Sequence, residues 1–514
     1  MVVGGAVTAL LGEAGQIDLP AVLSDPYIRR VTLFTFWQAL LSTILSVGLA
    51  IPVARAFARR GAFVGRGLLL RLFSLSLVIP SIVAIFGIVA VHGRNGWVNG
   101  LLESFGLDGG HYLYGLTGIL IAHIFFNLPL ATRILLIALE AIPPEYWRLA
   151  AQIGMRPRDS FRWIEWPALR QVLPAAAGLV FMLCFISFAV VLTLGGGPRA
   201  TTIEVAIYQA LRFDFDIARA VALSFLQVVF AVAVVLVFLR FVRQSASGPT
   251  ERRPFSRPDA VGLPGRLGDG LALFMALCLV VMPLAAAAFA GFNRKFVEVM
   301  LQPALWLALL QTLLVAVSAG LLALVLAARI LLTSRGLRRR GRLVRAAIAL
   351  ETAGSLVLVF PPFVLAAGLF VLLRAHVDVF GVGIYIVILI NAFIALPFVI
   401  RILSEPMMRL AREQDRLCLS LGIAGWRRFH LIDWPNLRRA AGLALAIAAT
   451  LSAGDLSVIA LFGSQNFTTL PLLLYQRMSS YRMEEAAVVA VLLTALCFML
   501  FLLLERLLGG PRRA

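Results

Sequence analysis

Eleven mostly apolar stretches, each about twenty residues or longer, recur along this chain, at 31–54, 67–91, 114–138, 171–194, 217–241, 270–292, 303–328, 346–374, 382–404, 438–462 and 485–508. A helix needs about 20 such residues to cross the hydrocarbon of a bilayer, and it satisfies its own backbone N–H and C=O groups on the way. A soluble core has no use for eleven of them, so the sequence specifies an all-α polytopic membrane protein. With 61% hydrophobic and 14% charged residues in 514, no length remains for a large soluble catalytic domain.

The net charge of +20 would point to nucleic acid in a soluble chain. Here the arginines cluster in short segments between apolar runs, which makes them topology signals and gives no nucleic-acid partner. Arg55, Arg59, Arg60 and Arg66 lie after the first span, Arg335, Arg338, Arg339, Arg340, Arg342 and Arg345 after the seventh, and Arg512 and Arg513 close the chain. Counting spans from any cluster puts the others, and the segments 139–170 and 405–437, on one cytoplasmic side. The segments 92–113, 195–216 and 463–484 then face outward. From Arg243 to Asp269 the chain is polar, with Arg252, Arg253, Arg257 and Arg266 and no apolar periodicity, and it reads as a cytoplasmic linker. The division is 1–242, 243–269 and 270–514.

The two cytoplasmic segments are copies. RLAAQIGMRPRDSFRWIEWPALR at 148–170 aligns without gaps on RLCLSLGIAGWRRFHLIDWPNLR at 416–438, an offset of 416 − 148 = 268, with nine identities. The same offset pairs Pro129 with Pro397 and Arg133 with Arg401, and an offset of 267 pairs Tyr208 and Gln209 with Tyr475 and Gln476. The halves are tandem repeats. Six spans in the second half return the chain to its starting side, so the repeats are parallel, related by an axis along the membrane normal, and a path should follow that axis. Subtracting 268 from the span at 270–292 calls for a twelfth span at 2–24, where only Met1–Leu11 is apolar. A start codon assigned too late is the favoured reading of that deficit, over a lost first helix.

Each copy carries glycine, nine residues, isoleucine, two residues and proline: Gly154, Ile164 and Pro167, then Gly422, Ile432 and Pro435. This resembles the E-A-A-x3-G-x9-I-x-L-P loop of ABC importer permeases. Arg148 and Arg416 stand at its Glu, Leu149 and Leu417 at its first Ala, Ala150 and Cys418 at its second, and Trp166 and Trp434 at its Leu. The resemblance implies two short helices turning at the glycine and docking in a cleft of the ATPase. Beyond the loop, segments 118–136, 183–211 and 462–482 resemble the fused permeases of bacterial thiamine transporters, with fused ferric-iron permeases as the next relatives. That likeness implies the type I ABC importer permease fold, with eleven of twelve spans evident, in the bacterial inner membrane. It also implies a homodimeric cytoplasmic ATPase and a periplasmic thiamine-binding protein as partners, and translocation of thiamine and its phosphate esters.

Lys295, in FNRKF, is the only lysine, and a Walker A loop cannot be built without one. The chain is thus expected to be no enzyme and to need no cofactor, ATP being used by the partner. An acid inside a span is costly unless it faces a cavity or a partner, which singles out Asp455, with Ser187 as its counterpart. Asn127, His123 and Asn391 also sit in spans and are candidates for the path, or for interhelical hydrogen bonds. His92, His111, His376 and His430 are scattered without ligand spacing, and no metal site is assigned; the four cysteines read as small buried apolar residues. An intramembrane enzyme lacks a nucleophile and base, and an ion-coupled secondary transporter would need more intramembrane charge than Asp455.

Overall fold

The computed structural model describes residues 24–61, 63–75, 79–107, 112–241, 262–339, 343–356, 360–374 and 376–509, with Gly5, Thr8, Gly12, Gly110 and Arg257 as isolated positions. Outside them lie most of Met1–Leu11, the linker with Arg243, Arg252 and Arg253, and His111, Arg340, Arg342, Arg512 and Arg513.

Every regular element among the described residues is helical. The first repeat runs α1 (Pro26–Arg59), α2 (Arg66–Leu75), α3 (Ser81–His92), α4 (Trp97–Ser104), α5 (Leu116–Glu140), α6 (Pro144–Gln152), α7 (Pro157–Ser160), α8 (Trp166–Phe185), α9 (Ala189–Leu194), α10 (Ile203–Gln209) and α11 (Ile217–Phe241). The second runs α12 (Leu263–Ala290), α13 (Phe296–Met300), α14 (Pro303–Arg339), α15 (Val344–Leu356), α16 (Pro362–Leu373), α17 (Gly383–Ser420), α18 (Gly425–Arg428), α19 (Trp434–Ala453), α20 (Ser457–Phe462), α21 (Leu470–Ser479) and α22 (Met483–Gly509).

Among the described residues, nine helices are long and apolar enough to cross a membrane. The span read at 346–374 is divided between α15 and α16, and Pro361 and Pro362 favour extended backbone ahead of α16. The span read at 438–462 is α19 followed by α20, and Arg438 and Arg439 make its first turns polar. The spans at 303–328 and 382–404 are the apolar parts of longer helices, α14 and α17.

Duplication is visible element by element. Adding 268 to the bounds of α8 and α9 returns those of α19 and α20, and the π-helical turns Phe161–Glu165 and Phe429–Asp433 coincide in the same way. Both turns precede a Trp-Pro pair, and Trp166 and Trp434 donate five residues back, to Phe161 and Phe429. A wide turn there carries the helix past a proline that has no N–H to give. The repeats differ where their prolines differ. Pro143 and Pro144 separate α5 from α6, whereas Ala411 and Arg412 stand at the equivalent positions and α17 runs through unbroken.

The outward segments 195–216 and 463–484 are not exposed loops: α10 and α21 are largely buried in the bundle. Each has its first N–H capped by a threonine of a long helix of its own repeat, α1 or α14, Ile203 N donating to Thr35 Oγ1 at 3.0 Å and Leu470 N to Thr312 Oγ1 at 2.8 Å. The hydroxyls donate onward to the carbonyls of Val31 and Ala308, one turn back. The first helix of the second repeat crosses over: α12 packs on α3 and α1 of the first. At that crossing a Cβ on Gly87 would lie 2.1 Å from the Pro283 carbonyl oxygen, so only glycine fits.

Candidate functional site

The five path candidates, which come from four places in the chain, line one cavity of about 380 Å³. Asp455, Ser187, Asn127, His123 and Asn391 share it with Pro80, Phe126, Phe188, Leu183, Leu451 and Ser457. Adding 268 maps His123 on Asn391, Phe126 on Ile394, Leu183 on Leu451, Ser187 on Asp455 and Ala189 on Ser457, all of them lining residues. A cavity walled by equivalent residues of both repeats lies on the axis that relates them. The His123 and Asn391 equivalence was legible in the sequence by applying the repeat offset to every polar residue in a span.

Asp455 is not inside a continuous helix: it sits at the break between α19 and α20. Its carboxylate accepts from the backbone N–H groups of Ser457 at 3.2 Å and Val458 at 3.1 Å, two of the donors that a helix start leaves unmet. The first repeat breaks between α8 and α9 at the same place, with Ser187 there. Pro80 touches the second break: a Cβ on Gly454 would lie 3.0 Å from the proline's own. The break therefore opens α19 toward the cavity and delivers the one carboxylate among the cavity's lining residues.

The remaining polar side chains are held by partners that leave atoms free. His123 is buried, its Nδ1 2.8 Å from Ser42 Oγ, and its Nε2 has no hydrogen-bond partner. Asn391 donates to Ser452 Oγ at 2.9 Å, and its Oδ1 is unpartnered. Asn127 donates to the His123 carbonyl at 2.9 Å within α5 and lies 3.3 Å from Cys184 Sγ on α8, an interhelical contact. A pocket with one carboxylate and largely apolar walls suits a small organic solute with a positive centre.

Phe188 closes one wall, against Phe363 at 4.2 Å and Tyr208 at 5.4 Å between ring centroids. Tyr208 also lines a second cavity of about 500 Å³ with Arg212, Tyr475 and Gln476, so the aromatic group separates the two. Gln209 lies apart from both, its Oε1 3.5 Å from the Tyr27 hydroxyl. Arg212 crosses between repeats to donate to the Leu461 and Gly463 carbonyls at the end of α20.

In the duplicated segments 148–170 and 416–438, Gly154 and Gly422 have φ of +64° and +65°. Gly154 N bonds to the Ala151 carbonyl and Met155 N to that of Ala150; Gly422 N bonds to Leu419 and Ile423 N to Cys418. These are paired Schellman ends, which explains why Ala150 and Cys418 are buried at matching places. Arg148, Leu149, Arg416 and Leu417 are exposed, while Ile164, Pro167 and Ile432 are partly buried and Pro435 is exposed. Trp163, Trp426 and Leu431 add exposed apolar surface on the same segments. The cysteines are free, three buried and Cys278 partly so.

The sequence matches the family described as Binding-protein-dependent transport system inner membrane component over residues 36–246 and 336–510. It is 47% identical over 504 residues to the thiamine transport system permease protein ThiP of Escherichia coli (strain K12), covering 98% of this chain and 94% of that protein. The protein of the same name from Brucella abortus (strain 2308) is 44% identical over 512 residues, covering 99% and 94%. A Haemophilus influenzae protein named for ferric transport, FbpB 1, is 30% identical over 222 residues, 42% of this chain and 34% of that protein. Matched in both repeats and along nearly its whole length, the chain belongs to the binding-protein-dependent inner membrane permeases of ABC importers.

Proposed function

We propose that this permease imports thiamine and its phosphate esters. The observation that carries the proposal is the convergence of Asp455, Ser187, His123, Asn127 and Asn391 on a single cavity at the repeat axis. One carboxylate beside Phe126 and Phe188 offers a thiazolium ring both a counter-charge and aromatic faces. A ferric ion would call for several hard oxygen ligands, and this cavity supplies one carboxylate. The names of the relatives that match the whole chain favour the same substrate.

In this reading a periplasmic thiamine-binding protein delivers the solute at the outer cavity, and the aromatic septum at Phe188 and Tyr208 parts to admit it. Energy comes from a separate homodimeric ATPase, since Lys295 in FNRKF cannot serve a phosphate loop. That ATPase engages the segments 139–170 and 405–437 through the helices that turn at Gly154 and Gly422. Their exposed Leu149, Trp163, Leu417, Trp426 and Leu431 provide an apolar docking surface.

The test is reconstitution with the ATPase and binding protein in vesicles. Labelled thiamine should accumulate only with ATP and all three components. Accumulation without the ATPase, driven by an ion gradient, would overturn the reading, as would uptake of iron and not of thiamine.

A further inference from the structure

Each repeat buries one acid immediately before its Trp-Pro pair, Glu165 and Asp433, and each acid is held by two arginines. One arginine comes from a long helix of the same repeat, α1 or α14: Arg55 reaches Glu165 at 2.6 Å, and Arg335 reaches Asp433 at 3.1 Å. The second arginine differs in origin. In the second repeat it is Arg428, within the segment itself, bridging Asp433 and Asp415. In the first repeat the positions equivalent to Arg428 and Asp415 are Ser160 and Trp147, at 428 − 268 and 415 − 268. Neither can supply the missing cation, and the buried Ser160 hydroxyl has no partner.

Arg257, from the linker between the repeats, takes that place. Its guanidinium pairs with Glu165 and lies 3.7 Å from the centroid of the Trp147 ring, so it touches the counterparts of both residues that Arg428 bridges. It is 7% exposed and Glu165 is fully buried. A fully buried carboxylate left with one of its two cations is poorly compensated, and planar contact with an indole together with a carboxylate is suited to arginine more than to lysine.

We propose that Arg257 is a positioning residue that holds the first ATPase-coupling segment rigid, doing from the linker what Arg428 does from inside the second. The linker is then part of the coupling machinery as well as a tether. The proposal rests on the reading that 139–170 transmits force from the ATPase.

The experiment measures thiamine taken up per ATP hydrolysed by the reconstituted complex. Arg257→Ala should lower that ratio by about tenfold, the scale of one charge-assisted contact, with the ATPase still bound. Adding Ser160→Arg and Trp147→Asp, which install the second repeat's own network, should restore it. An unchanged ratio in Arg257→Ala, where Gly154→Pro abolishes coupling, would overturn the role of Arg257 and leave the coupling reading intact. An unchanged ratio in both variants would overturn the coupling reading and this proposal with it. Failure of the triple variant to recover would show that Arg257 does not stand in for Arg428. Should Arg257→Ala not accumulate in the membrane, S160R/W147D with and without R257A carries the test: equal ratios support the proposal, and a loss specific to R257A overturns it.

Discussion

At the scale of single residues, Asp455 combines two tasks that a substitution can separate. Its carboxylate caps α20 through two backbone N–H groups, and it is the acid of the central cavity. Asparagine caps helices about as well as aspartate through its one amide oxygen, so Asp455→Asn removes the charge while keeping one of the two bonds to the start of α20. Uptake should then fall by roughly 10-fold or more, the equivalent of a charged contact worth about 1.5–3 kcal/mol. The thermal midpoint should stay within a few degrees of the parent, because one of the two capping bonds is kept. Equal uptake by Asp455→Asn would sink the cation role. The candidacy of Asp455 was readable from sequence because an acid in an apolar run has few cheap explanations. Its place at a helix break was not, since Gly454 and the following residues form no turn signal that outweighs the apolar run around them.

At the scale of elements, the informative feature is the pair of left-handed glycines. Gly154 and Gly422 have open space where a Cβ would go, so their requirement is conformational and not steric. Gly154→Ala should cost about 1–2 kcal/mol in the left-handed turn and leave a folded protein with reduced uptake. Gly154→Pro removes the N–H that bonds to Ala151 and excludes the observed φ, so it should separate ATP hydrolysis from uptake while the bundle persists. Parallel assays of ATPase rate and transport distinguish the two; full uptake in the proline variant would contradict the coupling role. The glycine spacing was legible because a turn leaves a local signature. The burial of α10 and α21 was not, because polar residues such as Thr201, Thr202, Glu204 and Gln209 look solvated in sequence. In the fold Thr35 and Thr312 satisfy the helix starts, and Gln227 donates to the fully buried Glu204 at 3.0 Å.

At the scale of the whole molecule, the two repeats are joined by packing that crosses between them. A methyl on Gly87 would meet backbone, which cannot rotate aside, so Gly87→Ala should push α3 from α12 and cost about 1–3 kcal/mol. A lowered thermal midpoint in detergent, with the open-sided Gly100→Ala as a neutral control, checks this. An unchanged midpoint would mean that the crossing gives way without cost. Gly87 lies seven residues after Pro80 and Gly368 seven after Pro361, a spacing visible along the chain, whereas the partner of Gly87 on the other repeat is not.

Local and periodic information decided a good deal by itself. Apolar run length set the membrane architecture, arginine placement predicted an orientation, and a constant offset disclosed the duplication and hence the axis. These are properties of the chain read along its length. Only the tertiary structure brought Asp455 opposite His123 and Asn391, turned two outward segments into buried helices, and sent a linker arginine to Glu165, 92 residues away. Such pairings depend on how helices cross, and a guanidinium drawn from a polar tether into a buried site satisfies a charge imbalance that exists only once the repeats have folded around it.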